Sequence, residues 1–262
     1  PVPGDAGSDL LAAAYALSYL SKTSVGAYSN TPLLLAYARN LIARLVISQR
    51  DDGGWNWCGG SAESDVYASS RTLWALAEAR RQGISIHSQT IERGTSYLKE
   101  AFARAEQSDD EAKSVILHAL SSIGEADFAY ANRLYRNRNS LSPSALAYTA
   151  LVFVNLDRKE ISGEILDVLE GKMERVKTAG DVETAALALL AMESTRPGAP
   201  MVKKAVEYLL SKRTFYGYSP YRVKGPAVAA LAVYYGKTQF AISDYRLKIS
   251  VNEKEVKSAQ VR

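Results

Sequence analysis

The chain has 262 residues, 47% of them hydrophobic, with 32 lysines and arginines against 28 aspartates and glutamates. That length buries a substantial core, and the net charge of +4 is spread along the chain without the basic cluster and aromatic-and-glycine motif of a nucleic-acid binder. Cys58 is the single cysteine, which excludes an internal disulfide and a cysteine-built zinc cluster, and no apolar run reaches the roughly 18 to 20 residues that span a bilayer.

No metal, no cofactor, no nucleic acid and no membrane insertion is expected, and the densest basic run, Arg133 to Arg138, reads as a solvated helix face. Pro1-Val2-Pro3 opens with neither a methionine nor a basic leader, so the chain is expected to be a piece of something longer.

From the amino end, the first helical pattern is Ala-rich and contains Ala16-Leu17. Five further segments repeat that pair: Ala75-Leu76, Ala119-Leu120, Ala150-Leu151, Ala188-Leu189 and Ala230-Leu231. From 75 to 119, 150, 188 and 230 the spacing stays between 31 and 44 residues, which suits one helical hairpin per repeat. These six segments predict inner helices, apolar nearly all round, whose alanines let neighbours approach closely.

Amphipathic stretches lie between them at 32–48, 88–105, 126–136, 160–176 and 202–212, each with one apolar stripe and one charged face, and they predict outer helices. Thr31-Pro32 and Ser142-Pro143 place a capping hydroxyl before a proline at a helix start. Gln49-Arg50-Asp51-Asp52-Gly53-Gly54-Trp55 reads Q-x-x-x-G-x-W, a helix-end-to-loop signature of helical toroids. Its glycines supply a sharp reversal, and Trp55 and Trp57 can fold back as apolar plugs.

Six inner helices and only five outer ones leave the ring one helix short. At the tail the period changes: Tyr245, Leu247, Ile249 and Val251 alternate with polar residues, and a second strand is expected at about Val256. The predicted fold class is all-α, an α/α toroid over residues 1–238, with a β extension over 239–262. A lone strand pair is rarely stable in water, so that extension is expected to lead into a neighbouring β-sandwich domain.

Together, Tyr15-Ala-Leu-Ser-Tyr-Leu20, the Gln49 to Trp55 turn, Ser64-Asp65-Val66-Tyr67 leading to Trp74-Ala-Leu-Ala-Glu-Ala79, and Asp244 to Asn252 resemble a bacterial α-macroglobulin. The resembling part is its thioester-containing domain, a fold shared with complement components. The resemblance implies a fragment of a large exported protein, periplasmic or extracellular at the cell envelope, that entraps proteases and carries neighbouring β-sandwich domains.

In thioester-bearing members a Cys-x-Glu-Gln motif precedes the first inner helix, and its Cys-to-Gln thioester acylates the target. The bond must stay buried until activation, or water hydrolyses it. Counting back from Tyr15 puts Val2 at the Cys position, Gly4 at the Glu and Asp5 at the Gln. The motif is lost on this register, and Cys58, followed by Gly59-Gly60-Ser61, offers no substitute. The resemblance then implies a noncatalytic domain and noncovalent trapping.

Val115-Ile-Leu-His118 resembles the segment that carries an acyl-transfer histidine in complement components, so His118 reads either as a relic of that group or as a core histidine. Trp55, Trp57, Tyr67, Tyr218 and Tyr221 are candidates for surface recognition, although the tryptophans also fit as loop plugs and the tyrosines, with Tyr216, as packing.

The alternative is a toroidal enzyme with an axial acidic pocket. A terpene cyclase needs a D-x-D-D cluster, which neither Asp51-Asp52 nor Asp109-Asp110-Glu111 supplies, and a prenyltransferase needs an Asp, Cys and His zinc set. A carbohydrate-cleaving reading would draw on Glu63 and Asp65 with Trp55, Trp57 and Tyr67. Asp65 or Ser64 also fits as a helix cap.

Overall fold

Eleven α-helices run through the described residues of the computed structural model, which are 3–22, 30–57, 63–176, 181–215, 217–238, 245–251 and 254–261. They are α1 (Pro3–Lys22), α2 (Thr31–Ser48), α3 (Val66–Arg81), α4 (Ser88–Arg104), α5 (Asp110–Ser122), α6 (Phe128–Arg136), α7 (Pro143–Asn155), α8 (Lys159–Val176), α9 (Val182–Thr195), α10 (Pro200–Lys212) and α11 (Lys224–Thr238). A short 3-10 turn, Tyr221–Val223, precedes α11, and strands β1 (Tyr245–Val251) and β2 (Lys254–Val261) follow it.

The odd-numbered helices close a ring. α1 packs on α3, α3 on α5, α5 on α7, α7 on α9, α9 on α11, and α11 back on α1. The even-numbered helices lie outside, α2 against α1, α4 against α3 and α5, α6 against α5 and α7, α8 against α7 and α9, and α10 against α9. The architecture is thus an α/α toroid, and each predicted outer helix lies within two residues of an observed one.

Composition explains the two layers. In α3 every residue from Ala68 to Ala79 is buried, and in α9 every residue from Thr184 to Glu193. Outer α4 buries Ile91, Gly94, Tyr97, Leu98 and Ala101, a single stripe at helical spacing, and leaves its charged face to water. Four inner helices carry side-chain caps, Asp65, Asp109, Ser142 and Asp181 accepting backbone N–H groups at the starts of α3, α5, α7 and α9, and Asp127 does the same for outer α6. At Thr31-Pro32 the expectation is corrected, because Thr31 is already helical, Asn30 occupies the cap position, and no side-chain cap bond forms there.

Two glycines in the inner layer let α1 close the ring. A Cβ on Gly7 would sit 2.8 Å from Thr72 Oγ1, and one on Gly225 would sit 2.7 Å from the Ser8 carbonyl oxygen. Ser8 Oγ then donates to the Arg222 carbonyl at 2.9 Å and accepts from the Gly225 N–H at 2.9 Å, which ties α1 to α11.

The Gln49 to Trp55 loop locks the first outer helix to the ring. Gln49 Nε2 donates to the Gly53 and Thr90 carbonyls, both at 2.9 Å. Gly53 has φ of 90°, and a Cβ there would collide with the Arg93 carbonyl. Trp55 is fully buried and donates from Nε1 to the Leu45 carbonyl at 2.8 Å. The motif is therefore architectural: its glutamine and tryptophan satisfy backbone groups between α2, α3 and α4.

Among the described residues no outer helix follows α11. β1 and β2 pair antiparallel, Tyr245 opposite Val261 and Val251 opposite Lys254, with a register shift between Ile249 and Ser250.

Candidate functional site

Four inner helices, α3, α5, α7 and α9, bring their capped N-termini to one end of the ring, and a cavity of about 390 Å³ opens between them. Asp65, Glu111, Ser144 and Asp181 line it from those first turns, and Trp57 and Tyr67 stand beside them. A capped N-terminus needs an acceptor, which is why carboxylates gather here. Asp65 Oδ1 accepts from the Ala68 N–H at 2.7 Å, Asp181 Oδ1 from the Thr184 N–H at 2.7 Å, and Glu111 Oε2 from Ser142 Oγ.

Deeper in, one charged network crosses the axis. Arg71, buried in α3, donates to Glu183 Oε1 of α9, to Tyr148 Oη of α7 at 3.1 Å, and to the Arg222 carbonyl at 3.1 Å. Tyr148 also donates to Glu183. Burial works against the charge on Arg71, but Glu183 and Tyr148 outweigh it and hold its pKa above the ordinary value. Burial, followed by Glu183, pushes the Tyr148 hydroxyl well above its own. The guanidinium also lies 5.4 Å from the centroid of the Trp74 ring.

Trp74 and His118 form the floor. Their rings meet edge to face with centroids 4.6 Å apart, and Tyr148 lies 5.4 Å from the imidazole. His118 is 3% exposed. Burial, with Arg71 and Arg81 adding repulsion, holds its pKa down to about 3, so the ring is neutral at physiological pH. Beyond this floor a second chamber of about 210 Å³ opens toward the C-terminal ends of the inner helices, again touching Trp74 and His118 and lined by Glu78, Arg81 and Asn155. Burial raises the Glu78 carboxyl, against the opposing pull of Arg81.

The predicted site residues scatter around this geometry. Val2 and Cys58 lie outside the described residues, as does Tyr216. Gly4 and Asp5 fall in the first turn of α1, where burial and then Asp9 raise the Asp5 carboxyl above the usual carboxylate range. Trp57, Asp65 and Tyr67 line the axial cavity together, and His118 lines it from below.

Three expectations are corrected. Trp55 is not a surface residue, since its indole fills the core against Gly94. Tyr218 is buried too. Glu63 does not pair with Asp65 across a cleft: it lines a separate surface groove with Arg50, Asp52 and Tyr97. Tyr221 is exposed as expected, but its hydroxyl donates to Asp9, which also accepts from Tyr37 at 2.8 Å and Lys224 at 2.8 Å.

Arg71, Trp74, Tyr148, Asp181 and Glu183 were not singled out from the sequence. A usable signal existed in Arg71, a charge in the middle of an Ala-rich inner helix, and in Glu183, an acid in the first turn of another. Such charges are rarely buried without a partner. Among the described residues no group of three histidine, cysteine, aspartate or glutamate side chains could hold a metal ion, and no helix is long and apolar enough to cross a membrane.

No family model matches the sequence, and no curated protein matches it. Solved structures do match by fold. The whole chain aligns with native Escherichia coli α2-macroglobulin spanning domain MG7 to the C-terminus, at a TM-score of 0.71 and 14% identity, and covers 43% of that chain. It aligns over its whole length with Salmonella α2-macroglobulin reacted with methylamine, at 0.69 and 17%, covering 18% of that chain. Trypsin-activated E. coli α2-macroglobulin matches 89% of this chain at 0.63 and 15%, with 17% of its own length covered. The chain thus spans less than half of each of these proteins, and at such identities the likeness is one of fold: this chain has the fold of a helical-toroid segment of bacterial α2-macroglobulins.

Proposed function

We propose that the chain is the thioester-domain-fold part of a bacterial α-macroglobulin-like protein and that it serves noncovalent protease trapping at the cell envelope, as a structural and binding module without catalysis of its own. The observation that carries this reading is the fold match over 100% of the chain to native E. coli α2-macroglobulin. The neighbours named as trypsin-activated and elastase-activated support proteases as partners. On this reading residues 1–238 are the toroid, and residues 239–262 lead into a neighbouring β-sandwich domain of the same protein, periplasmic or extracellular.

One feature favours noncovalent over covalent capture, and another speaks against catalysis. The first turn of α1 carries Gly4 and Asp5 where the Glu and Gln of a thioester motif would stand, with Val2 at the Cys position. The axial acids also have structural duties, Asp65 and Asp181 as caps, Glu111 to Ser142 and Glu183 to Arg71, which speaks against a catalytic carboxylate pair. On this reading His118, whether a relic or a core histidine, has no acyl group to attack.

The test incubates the full-length protein with a panel of proteases, with and without methylamine pretreatment, and follows activity on large and small substrates and denaturing gels. Protection of the protease from large substrates, with no adduct surviving denaturation, supports the proposal. A methylamine-sensitive covalent adduct would refute the placement of Val2 and Asp5, and no effect on any protease would refute trapping.

A further inference from the structure

We infer that the axial cavity above the Trp74–His118 floor is a binding site for a neutral, polyhydroxylated ligand of mono- to disaccharide size. The inference goes beyond protease trapping and stands independently of it.

Charge decides the class of ligand. Asp65, Glu111, Asp181 and Glu183 face Arg71 and Arg222 around the cavity, an excess of two negative charges. The N-termini of α3, α5, α7 and α9 open onto the same space, and each contributes roughly half a positive charge. Asp109, the cap of α5, adds a further negative charge nearby, so the helix N-termini offset most of the excess, and an entering ion loses hydration for little Coulombic gain. A neutral ligand does not incur that loss.

Hydrogen-bonding capacity points the same way. Each of the four carboxylates uses one oxygen, for a cap, for Ser142 or for Arg71 and Tyr148, and the second oxygen of each has no hydrogen bond from the described residues. Four carboxylates with a spare acceptor each suit a ligand that brings many hydroxyl donors. Ser70 gives an independent indication: it lines the cavity, is 3% exposed, and its hydroxyl has no partner.

The walls supply the apolar half of such recognition. Trp57 is half-buried and Tyr67 is 42% exposed, so both offer ring surface for the C–H face of a pyranose. At about 390 Å³ the cavity lies within the roughly 300–1,000 Å³ range of small-molecule sites. The closed Trp74–His118 floor limits the ligand to one or two sugar rings.

The experiment uses the full-length protein and saturation-transfer NMR with three neutral disaccharides, cellobiose, maltose and N,N′-diacetylchitobiose, and with n-butylammonium and acetate as ionic probes. At least one disaccharide is expected to bind with Kd below about 10 mM, and neither ion is expected to compete with it. Trp57→Ala should weaken that binding about tenfold, and Glu111→Gln, which keeps an acceptor for Ser142, about threefold. Circular dichroism and the melting temperature of each variant verify the fold. Absence of transfer to all three sugars, preference for either ion, or sugar binding that both substitutions leave unchanged would overturn the inference.

Discussion

The imidazole of His118 meets the indole of Trp74 edge to face at 4.6 Å, and this pair divides the ring axis into two chambers. Above it lie the capped N-termini and the carboxylates they attract. Below it lie helix C-termini with Glu78 and Arg81. Burial, with Arg71 and Arg81 adding repulsion, keeps the histidine neutral, so it packs here as an aromatic.

That neutrality has a pH consequence. The folded protein holds His118 at a pKa of about 3, whereas the unfolded chain takes up the proton near 6.5. Stability from this group is present above pH 6.5 and falls as pH drops toward 3, by up to about 1.4 kcal/mol per unit. The groups around the ring are Arg71 and Arg81 from α3, Tyr148 from α7 and Trp74. Urea unfolding between pH 7 and pH 4 should show a shallower decline for His118→Phe than for the parent. Parallel curves would count against it.

Arg71 is buried and pairs with the half-buried Glu183 between α3 and α9. Removing Glu183 leaves the Arg71 charge buried without its carboxylate, so Glu183→Ala should cost about 3–5 kcal/mol, and Arg71→Ala, which leaves the half-buried Glu183 facing the cavity, should cost less. A double Arg71→Met, Glu183→Leu protein removes both charges and should unfold later than either single variant. If the double variant is the least stable of the three in denaturant, the buried charge is not the cause.

Gly225 and Gly163 offer a paired comparison. Alanine at 225 would drive a Cβ against the Ser8 carbonyl at the α1–α11 contact, and should destabilise by about 1–3 kcal/mol. Alanine at 163, in α8, meets nothing within 4 Å and should stabilise by about 0.5–1 kcal/mol. Thermal melts of the two variants should therefore move in opposite directions.

Trp55 and Gly94 are coupled through contact, since a Cβ on Gly94 would lie 2.9 Å from Trp55 Cζ3. Gly94→Ala alone should cost about 1–3 kcal/mol. Trp55→Phe forfeits the bond to the Leu45 carbonyl and should cost about as much. In the double variant the smaller ring makes room for the new methyl, so a double-mutant cycle should give a total below the sum. Strict additivity would show that the contact is not felt.

Helix placement was legible because it follows from local chemistry. Ala-Leu pairs in apolar surroundings mark α3, α5, α7, α9 and α11, and Asp65 and Ser142-Pro143 start their helices as a cap and a cap with proline should. Thr31 misled because a hydroxyl before proline fits both the cap and the first helical turn. Trp55 and Trp57 are two residues apart in one loop, yet one is core and the other lines a cavity. Nothing in their spacing distinguishes them, because the difference lies in Gly94, which leaves space for only one ring.

By itself the sequence determined the ring: six apolar helices alternate with five one-sided ones, and burial of those faces leaves few arrangements other than a toroid. Only the tertiary structure decided the site. Asp65, Arg71, Glu111, Tyr148 and Glu183 come from four different helices or their caps, and each looks like a cap, a stray charge or a packing tyrosine where it stands in the chain. They meet because ring closure aligns the N-termini of alternate helices at one end, so that locally required acceptors become a shared polar wall.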